Sequence, residues 1–223
     1  MLYILATPIG NLEDITLRAI RTLKEVDYIA AEDTRHSQIL FQKYEIKKPT
    51  ISFHAWSDGH KLAQLLQILQ DGKSIALISD AGTPGISDPG YVLVKAAIEA
   101  GIQVVPIPGP SAVITALSAS GLPTHQFLYL GFLPMKKGRQ TMLATFNTPA
   151  LNDRTIVFYE SPHRLIKTLT EFTQKFPTRP LVIARELTKI YEEFFRGTPQ
   201  QALEHFQKKS PKGEFVIMLG PAQ

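Results

Sequence analysis

Ser79-Asp80-Ala81-Gly82-Thr83-Pro84-Gly85-Ile86-Ser87-Asp88-Pro89-Gly90 separates a short apolar run, Ser74-Ile75-Ala76-Leu77-Ile78, from a helical pattern beginning Tyr91-Val92-Leu93-Val94-Lys95-Ala96-Ala97-Ile98. The run is short and bounded by turn residues, so it reads as a buried strand. A strand that ends in Asp, Gly and Pro and then opens a helix is where open α/β sheets receive ligands. The glycines let the backbone come close to a ligand. Asp80 sets a carboxylate at the strand's C-terminal edge.

The same rhythm extends to both sides. Leu2–Ala6 reads as a strand, followed by the turn Thr7-Pro8-Ile9-Gly10-Asn11 and a helix from Thr16 to Lys24, with Leu17, Ile20 and Leu23 on one face. Asp27–Ala31 is the next strand, and Asp33 caps a helix running to about Tyr44. Thr50–Phe53 is strand-like, and Ser57–Gln70 is helical, with Leu62, Leu65, Leu66 and Leu69 as its apolar stripe and Gly72 at its C-cap. Beyond the central loop, its helix runs to Ala100, Ile102–Pro106 is a strand, and Pro108-Gly109-Pro110-Ser111 opens a helix to about Ser120. Strands alternating with helices in this way predict a mostly parallel sheet covered on both faces.

Gly121-Leu122-Pro123-Thr124 breaks the last helix and is the expected hinge, giving domains 1–120 and 121–223. The second half predicts strands at 127–132, 155–159, 181–185, 193–196 and 214–219, and helices at about 139–146, 163–175 and 200–207. The short gap between the strands at 181–185 and 193–196 predicts an antiparallel pair, hence a mixed sheet. A cleft between two such α/β domains is the expected ligand site.

The composition narrows the possibilities. The chain has 223 residues, 44% hydrophobic and 20% charged, enough for a large core. There is no cysteine, so disulfides and thiolate metal sites are excluded, and the scattered histidines predict no metal. No apolar run reaches a membrane span, and a strand-like N-terminus in place of a signal peptide predicts a cytoplasmic protein. The net charge of +4 falls short of a nucleic-acid footprint. Its local concentrations, Lys136-Lys137-Gly138-Arg139 and Lys208-Lys209-Ser210-Pro211-Lys212, read equally as solvated helix ends and as phosphate contacts.

The remaining strand ends each carry two readings. Thr7-Pro8-Ile9-Gly10-Asn11 lacks the Gly-x-Gly-x-x-Gly dinucleotide pattern and is a plain turn or a rim of the cleft. Asp33 is an N-cap, while Arg35 and His36 stand in a first turn, where the helix dipole disfavours a cation, so a ligand-facing role is an alternative. Ser111 and Ala112 open a helix and leave room beside its free N–H groups. In Glu160-Ser161-Pro162-His163-Arg164, Ser161 caps and Pro162 takes the first helical position. Arg185-Glu186-Leu187-Thr188-Lys189 is a protected sheet edge or a substrate contact.

Read jointly and in order, these motifs resemble the bacterial small-subunit (16S) rRNA (cytidine-2′-O)-methyltransferases of the tetrapyrrole methylase superfamily, over essentially the whole chain. The resemblance implies a two-domain class III methyltransferase fold with S-adenosylmethionine in the interdomain cleft. It implies a homodimer and, as partner, 16S rRNA within the small ribosomal subunit, methylated at a decoding-region cytidine. Carried over, the cofactor wall comprises Pro8, Ile9, Asp80, Ala81, Gly82, Thr83, Ile86, Ser111, Ala112, Tyr159, Leu187 and Gly213. The family pattern usually continues with a helical segment beyond the strand matching 213–219, whereas this sequence ends at Gln223; if that segment holds RNA, the chain binds cofactor but methylates poorly.

Methyl transfer is an in-line displacement at the sulfonium carbon with a neutral leaving thioether. The ribose hydroxyl is the partner that needs help, through a general base or tight positioning. Glu32, His36, Glu160, His163, Glu186 and Lys189 are the unranked candidates. Arg35, Arg164, Arg185 and Lys189 suit RNA phosphates or bases. Two alternatives are a tetrapyrrole C-methyltransferase on the same fold, which resembles its relatives in a Gly-rich first turn absent here, and a non-catalytic RNA- or nucleotide-binding module.

Overall fold

Strand β1 (Leu2–Leu5) alternates strictly: Leu2 and Ile4 pack into one apolar cluster, Tyr3 and Leu5 into another. Strand β4 (Ile75–Ile78) does the same, with Ile75 and Leu77 on one side and Ala76 and Ile78 on the other. Both strands are therefore covered on both faces, as the unbroken apolar runs require. They belong to an all-parallel sheet with β2 (Tyr28–Ala31), β3 (Thr50–Ser52) and β5 (Val104–Ile107), in the order β3-β2-β4-β1-β5. Pro106 lies in β5 at the sheet's edge, where its missing N–H breaks no ladder.

The chain, described here by a computed structural model over residues 1–54, 59–88 and 90–222, divides into two compact units, Met1–Ser111 and Ala112–Gln223. In the first, α1 (Leu17–Glu25) and α2 (Thr34–Tyr44) cover one face of the sheet, through Ala19, Leu23, Leu40 and Phe41. Helices α3 (Gly59–Gln70) and α4 (Gly90–Glu99) cover the other, through Leu65, Leu69, Leu93 and Ala97. The expected start of α3 at Ser57 lies outside the described residues. Leu17, placed on the apolar face of α1 by periodicity, is 85% exposed. It is the first residue of its helix, and Ala19, Thr22 and Leu23 form the buried face.

The chain leaves β1 for β2 through α1 on one face and leaves β4 for β5 through α4 on the other, although β1 and β4 are neighbours. The direction of winding therefore reverses between them. In an open parallel sheet this is the switch point, where the strand tips leave a crevice.

The second unit begins with α5 (Ala112–Ser118), which packs on β10. Its sheet has the order β6-β7-β10-β8-β9, formed by β6 (Phe127–Phe132), β7 (Thr155–Glu160), β8 (Leu181–Arg185), β9 (Glu193–Gly197) and β10 (Phe215–Leu219). The β6–β7 pair is parallel and the other pairs are antiparallel, including the predicted β8–β9 pair. Helices α6 (Arg139–Thr145), α7 (Pro162–Lys175) and α8 (Pro199–Gln207) carry Leu143, Leu165, Leu169, Phe172 and Phe206 into the core. Thr198 and Gln201 form a reciprocal capping box at the start of α8.

Candidate functional site

Four strand tips of the first unit are tied together by the loop that follows β4. At the β1 tip, Thr7 and Gly82 exchange backbone hydrogen bonds of 2.9 and 3.0 Å, and the Thr7 hydroxyl donates to the Ser79 carbonyl at 3.1 Å. Gly82 takes φ +81°, a left-handed conformation that a side chain would strain, and its Cα faces Ile9 Cγ2. At the β5 tip, the Thr83 hydroxyl donates to the Pro110 carbonyl at 3.1 Å. At the β2 tip the link is reciprocal: the Asp33 N–H donates to Asp80 Oδ1 at 2.9 Å, and the Asp80 N–H to Glu32 Oε2 at 3.5 Å. Asp88 Oδ1 closes the loop on itself, accepting from the N–H groups of Gly85 and Gly90.

The structure thus brings Pro8, Ile9, Asp80, Ala81, Gly82, Thr83 and Ser111 into one cluster of tips at the switch point. Pro8, Ile9 and Gly82 are buried, Asp80 and Thr83 are half-buried, and Ala81 and Ile86 face solvent. A polar rim with small, exposed residues beside it suits a ligand that carries both charge and hydroxyls.

Glu32 is the half-buried carboxylate of this rim. Burial pushes its pKa up; the Asp80 N–H and His54 pull the other way, and the neighbouring Asp80 and Asp88 carboxylates add to the rise. Asp33 behaves oppositely. Its carboxylate takes the Arg35 side chain and backbone N–H at 2.8–3.2 Å and is held down at about 2. This pairing also explains how a cation sits in the first turn of α2, since Arg35 is neutralised by its own cap. His36 is exposed in that turn.

The second unit's candidates lie in more committed surroundings. Glu160 is 2% exposed, and both of its oxygens have partners. Oε1 pairs with Arg164 Nε at 3.1 Å and accepts the Ser161 N–H at 2.9 Å, while Oε2 accepts the Thr168 hydroxyl at 2.6 Å. Arg164 also donates to the Leu133 carbonyl. Arg185 is engaged by the Lys212 carbonyl at 2.7 Å and by Glu193 at 3.1 Å. Lys189 sits between Glu186 (3.0 Å) and Glu214 (2.8 Å). Burial pulls the Lys189 pKa down, but hydrogen bonds to these two carboxylates outweigh it and the net shift is upward. Burial likewise pushes Glu186 up, and Lys189 and the Glu214 N–H reverse it to a net lowering. Leu187 is buried, Tyr159 is half-buried against the Tyr129 and Phe132 rings, and His163 is exposed. Gly213 takes φ +98°, and a Cβ there would lie 2.6 Å from the Glu186 side chain, so the position admits only glycine in this arrangement.

Two arginines of the second unit are buried. Arg139, in a basic cluster that reads equally as a solvated helix end and as a phosphate contact, is instead 4% exposed and donates to Glu171 (2.7 Å), Thr168 (2.8 Å) and the Pro134 carbonyl (3.2 Å). It therefore extends the Glu160 network. Arg179 is 2% exposed and donates to the carbonyls of Gly220 and Phe146, both at 2.7 Å. Apart from the Pro134 carbonyl, the partners named for the two arginines lie at least 29 residues away in the chain, so no local signal marks either. Among the described residues no cluster of His, Cys, Asp and Glu has the geometry to hold a metal, and no helix is long and apolar enough to cross a membrane.

Comparison with known proteins adds four findings. A Synechocystis protein named ribosomal RNA small subunit methyltransferase I is 52% identical over 225 residues, covering all of this chain and 79% of that one. A Thermotoga maritima protein of the same name is 48% identical, covering 98% of this chain and 97% of that one. Among solved structures, uroporphyrin-III C-methyltransferase from Thermus thermophilus complexed with S-adenyl homocysteine shares the fold, with a TM-score of 0.66 at 19% identity, covering 98% of this chain and 96% of that one. The sequence profile described as Tetrapyrrole (Corrin/Porphyrin) Methylases matches residues 1–203, so the chain belongs to that family.

Proposed function

We propose that the chain transfers the methyl group of S-adenosylmethionine to the ribose 2′-hydroxyl of a cytidine in the decoding region of 16S rRNA, as a cytoplasmic homodimer acting on the small ribosomal subunit. The observation that carries this reading is the rim of four linked strand tips at the switch point of the first unit. It combines a polar edge, half-buried carboxylates and close backbone approach, the combination a cofactor with ribose hydroxyls and a cationic sulfonium needs. The names of relatives at about half identity over nearly the whole chain support RNA as the acceptor.

In this reading Asp80, Gly82 and Thr83 form the cofactor wall with Pro8, Ile9, Ala81, Ile86, Ser111 and Ala112, while Tyr159, Leu187 and Gly213 rest on the family resemblance alone. S-adenosylmethionine, when bound, supplies an electrophilic methyl carbon. The chain's own residues hold it, orient the attacking sugar oxygen and take up its proton. Arg35, the most exposed of the four arginine and lysine candidates, is the one best placed to meet a phosphate.

The test offers labelled S-adenosylmethionine together with small-subunit particles lacking the modification, and in parallel with a porphyrinogen. Label on a cytidine ribose is expected. Robust transfer to the tetrapyrrole instead would overturn the reading in favour of a C-methyltransferase.

A further inference from the structure

We propose that Glu32 is the general base of this methyl transfer, its carboxylate taking the 2′-hydroxyl proton as the ribose oxygen attacks the methyl carbon. The inference rests on the methyltransferase reading above and selects one residue from its candidates.

The geometry separates the candidates. Glu160 is enclosed, with both oxygens bonded. Glu186 accepts from Lys189 and from the Glu214 N–H, and Lys189 is held protonated between two carboxylates. His36 and His163 stand exposed on first turns of helices. On the rim itself, Asp33 is paired with Arg35, Asp80 accepts the Asp33 N–H, and Asp88 ties its own loop. Asp80, Asp88 and Glu186 also accept through one oxygen only, but at shorter distances, so Glu32 is the most weakly tied of these carboxylates. Its single hydrogen bond among the described residues is a long one, 3.5 Å from the Asp80 N–H to Oε2, leaving Oε1 uncommitted at the rim.

The charged and titratable groups facing Glu32 come from neighbouring tips: Asp80 and Asp88 after β4, His54 after β3, and the Asp33–Arg35 pair on its own segment. Partial burial and two carboxylates favour the protonated form, so the ionised group is a stronger base than an exposed glutamate. In the step, the oxygen–methyl bond forms as the methyl–sulfur bond breaks, and that electron pair leaves on sulfur as a neutral thioether. The hydroxyl proton passes to Glu32 and from there to solvent, so charge and atoms balance.

The test is single-turnover transfer to small-subunit particles by the full chain and by Glu32→Gln, over about pH 5 to 8 and with saturating cofactor. The variant's rate is expected to fall about 100-fold or more, while its affinity for S-adenosylmethionine, measured by calorimetry, stays within about threefold. The rate of the unaltered protein is expected to rise with pH to a plateau, and that break is expected to vanish in Glu32→Gln. A variant rate within about threefold of the unaltered protein overturns the assignment. So does a flat pH profile in the unaltered protein, which needs no variant to fold. Loss of cofactor affinity with an undiminished saturating rate makes Glu32 a cofactor ligand and equally overturns it. Failure of the unaltered protein to label any ribose instead counts against the methyltransferase reading itself.

Discussion

Two strand tips in this molecule carry nearly the same local sequence and opposite electrostatics. Glu32-Asp33-Thr34-Arg35-His36 follows β2, and Glu160-Ser161-Pro162-His163-Arg164 follows β7. Each places a glutamate at the strand end, a capping side chain next, and then a helix whose first turn holds an arginine and a histidine. At β7 the arginine turns back onto the glutamate, Thr168 and Ser161 complete its bonds, and Arg139 braces Thr168 from behind. At β2 the arginine pairs with the cap instead, and the glutamate is left at the rim among like charges. A strand-end carboxylate is thus structural or chemical according to which neighbour its arginine chooses. Arg164 folds back from the first turn of α7 onto Glu160 at the end of β7, whereas Arg35 is two residues from Asp33 and bonds that cap through both its side chain and its backbone.

The contrast is easiest to break at β7. Glu160→Ala leaves Arg164 and Thr168 without their shared acceptor in a buried setting, and is expected to destabilise the second unit by about 3 kcal/mol. Denaturant unfolding followed in that unit would show it; a change below about 1 kcal/mol would mean the network contributes little. Arg139→Ala is expected to cost about 2 kcal/mol through the exposed ends of Thr168 and Glu171. Calorimetric unfolding of both single variants and the double variant would reveal coupling: if Glu160, Arg164, Thr168, Arg139 and Glu171 act as one network, the double variant should lose less than the sum of the two single losses.

At the rim the same measurements should give small stability effects and large functional ones. Asp80→Ala removes one acceptor from the Asp33 N–H, a loss of about 1 kcal/mol, yet should weaken cofactor binding about tenfold by titration calorimetry. An unchanged affinity would take Asp80 out of the site. Glu32→Gln should leave the thermal midpoint at neutral pH unchanged or raise it. The sign follows from the raised native pKa: the native state holds the Glu32 proton more tightly than the unfolded chain does, so stability falls as pH climbs from the unfolded value through the native one. Glutamine cannot ionise and escapes that fall. A midpoint lowered at pH 7 would argue that Glu32 is structural like Glu160. The smallest effect is on Asp33, whose carboxyl should titrate near 2 by NMR and hold the α2 cap until the solution is that acidic.

Much of this architecture was legible in the sequence, for identifiable reasons. Strands β1, β2 and β4 are rich in Leu, Ile and Ala and are followed within three residues by Pro or Asp, so both their burial and their ends are written locally. The caps Asp33 and Ser161 lie directly before the helices they start, and each side chain accepts a backbone N–H of the first turn, as the sequence predicts. What periodicity could not supply was the environment of each charge. Leu17 reads as buried because its spacing matches Ile20 and Leu23, but it is the first residue of its helix and is exposed. Arg139 looked like a surface cation because its neighbours are lysines, and the acceptors that bury it are 29 and 32 residues away. The rim was legible as motifs, while the division of Glu32 from Glu160 depends on contacts between segments that no window of sequence contains.

The claim on which the rest depends is that this chain methylates a sugar of small-subunit RNA. Mapping ribose methylation across that RNA, from cells with and without the gene, tests it most directly. The account predicts one cytidine in the decoding region that carries a 2′-O-methyl group only when the gene is present and that regains it when the purified protein and S-adenosylmethionine are added back. An identical methylation map in both cells, with no ribose labelled on add-back, would contradict it.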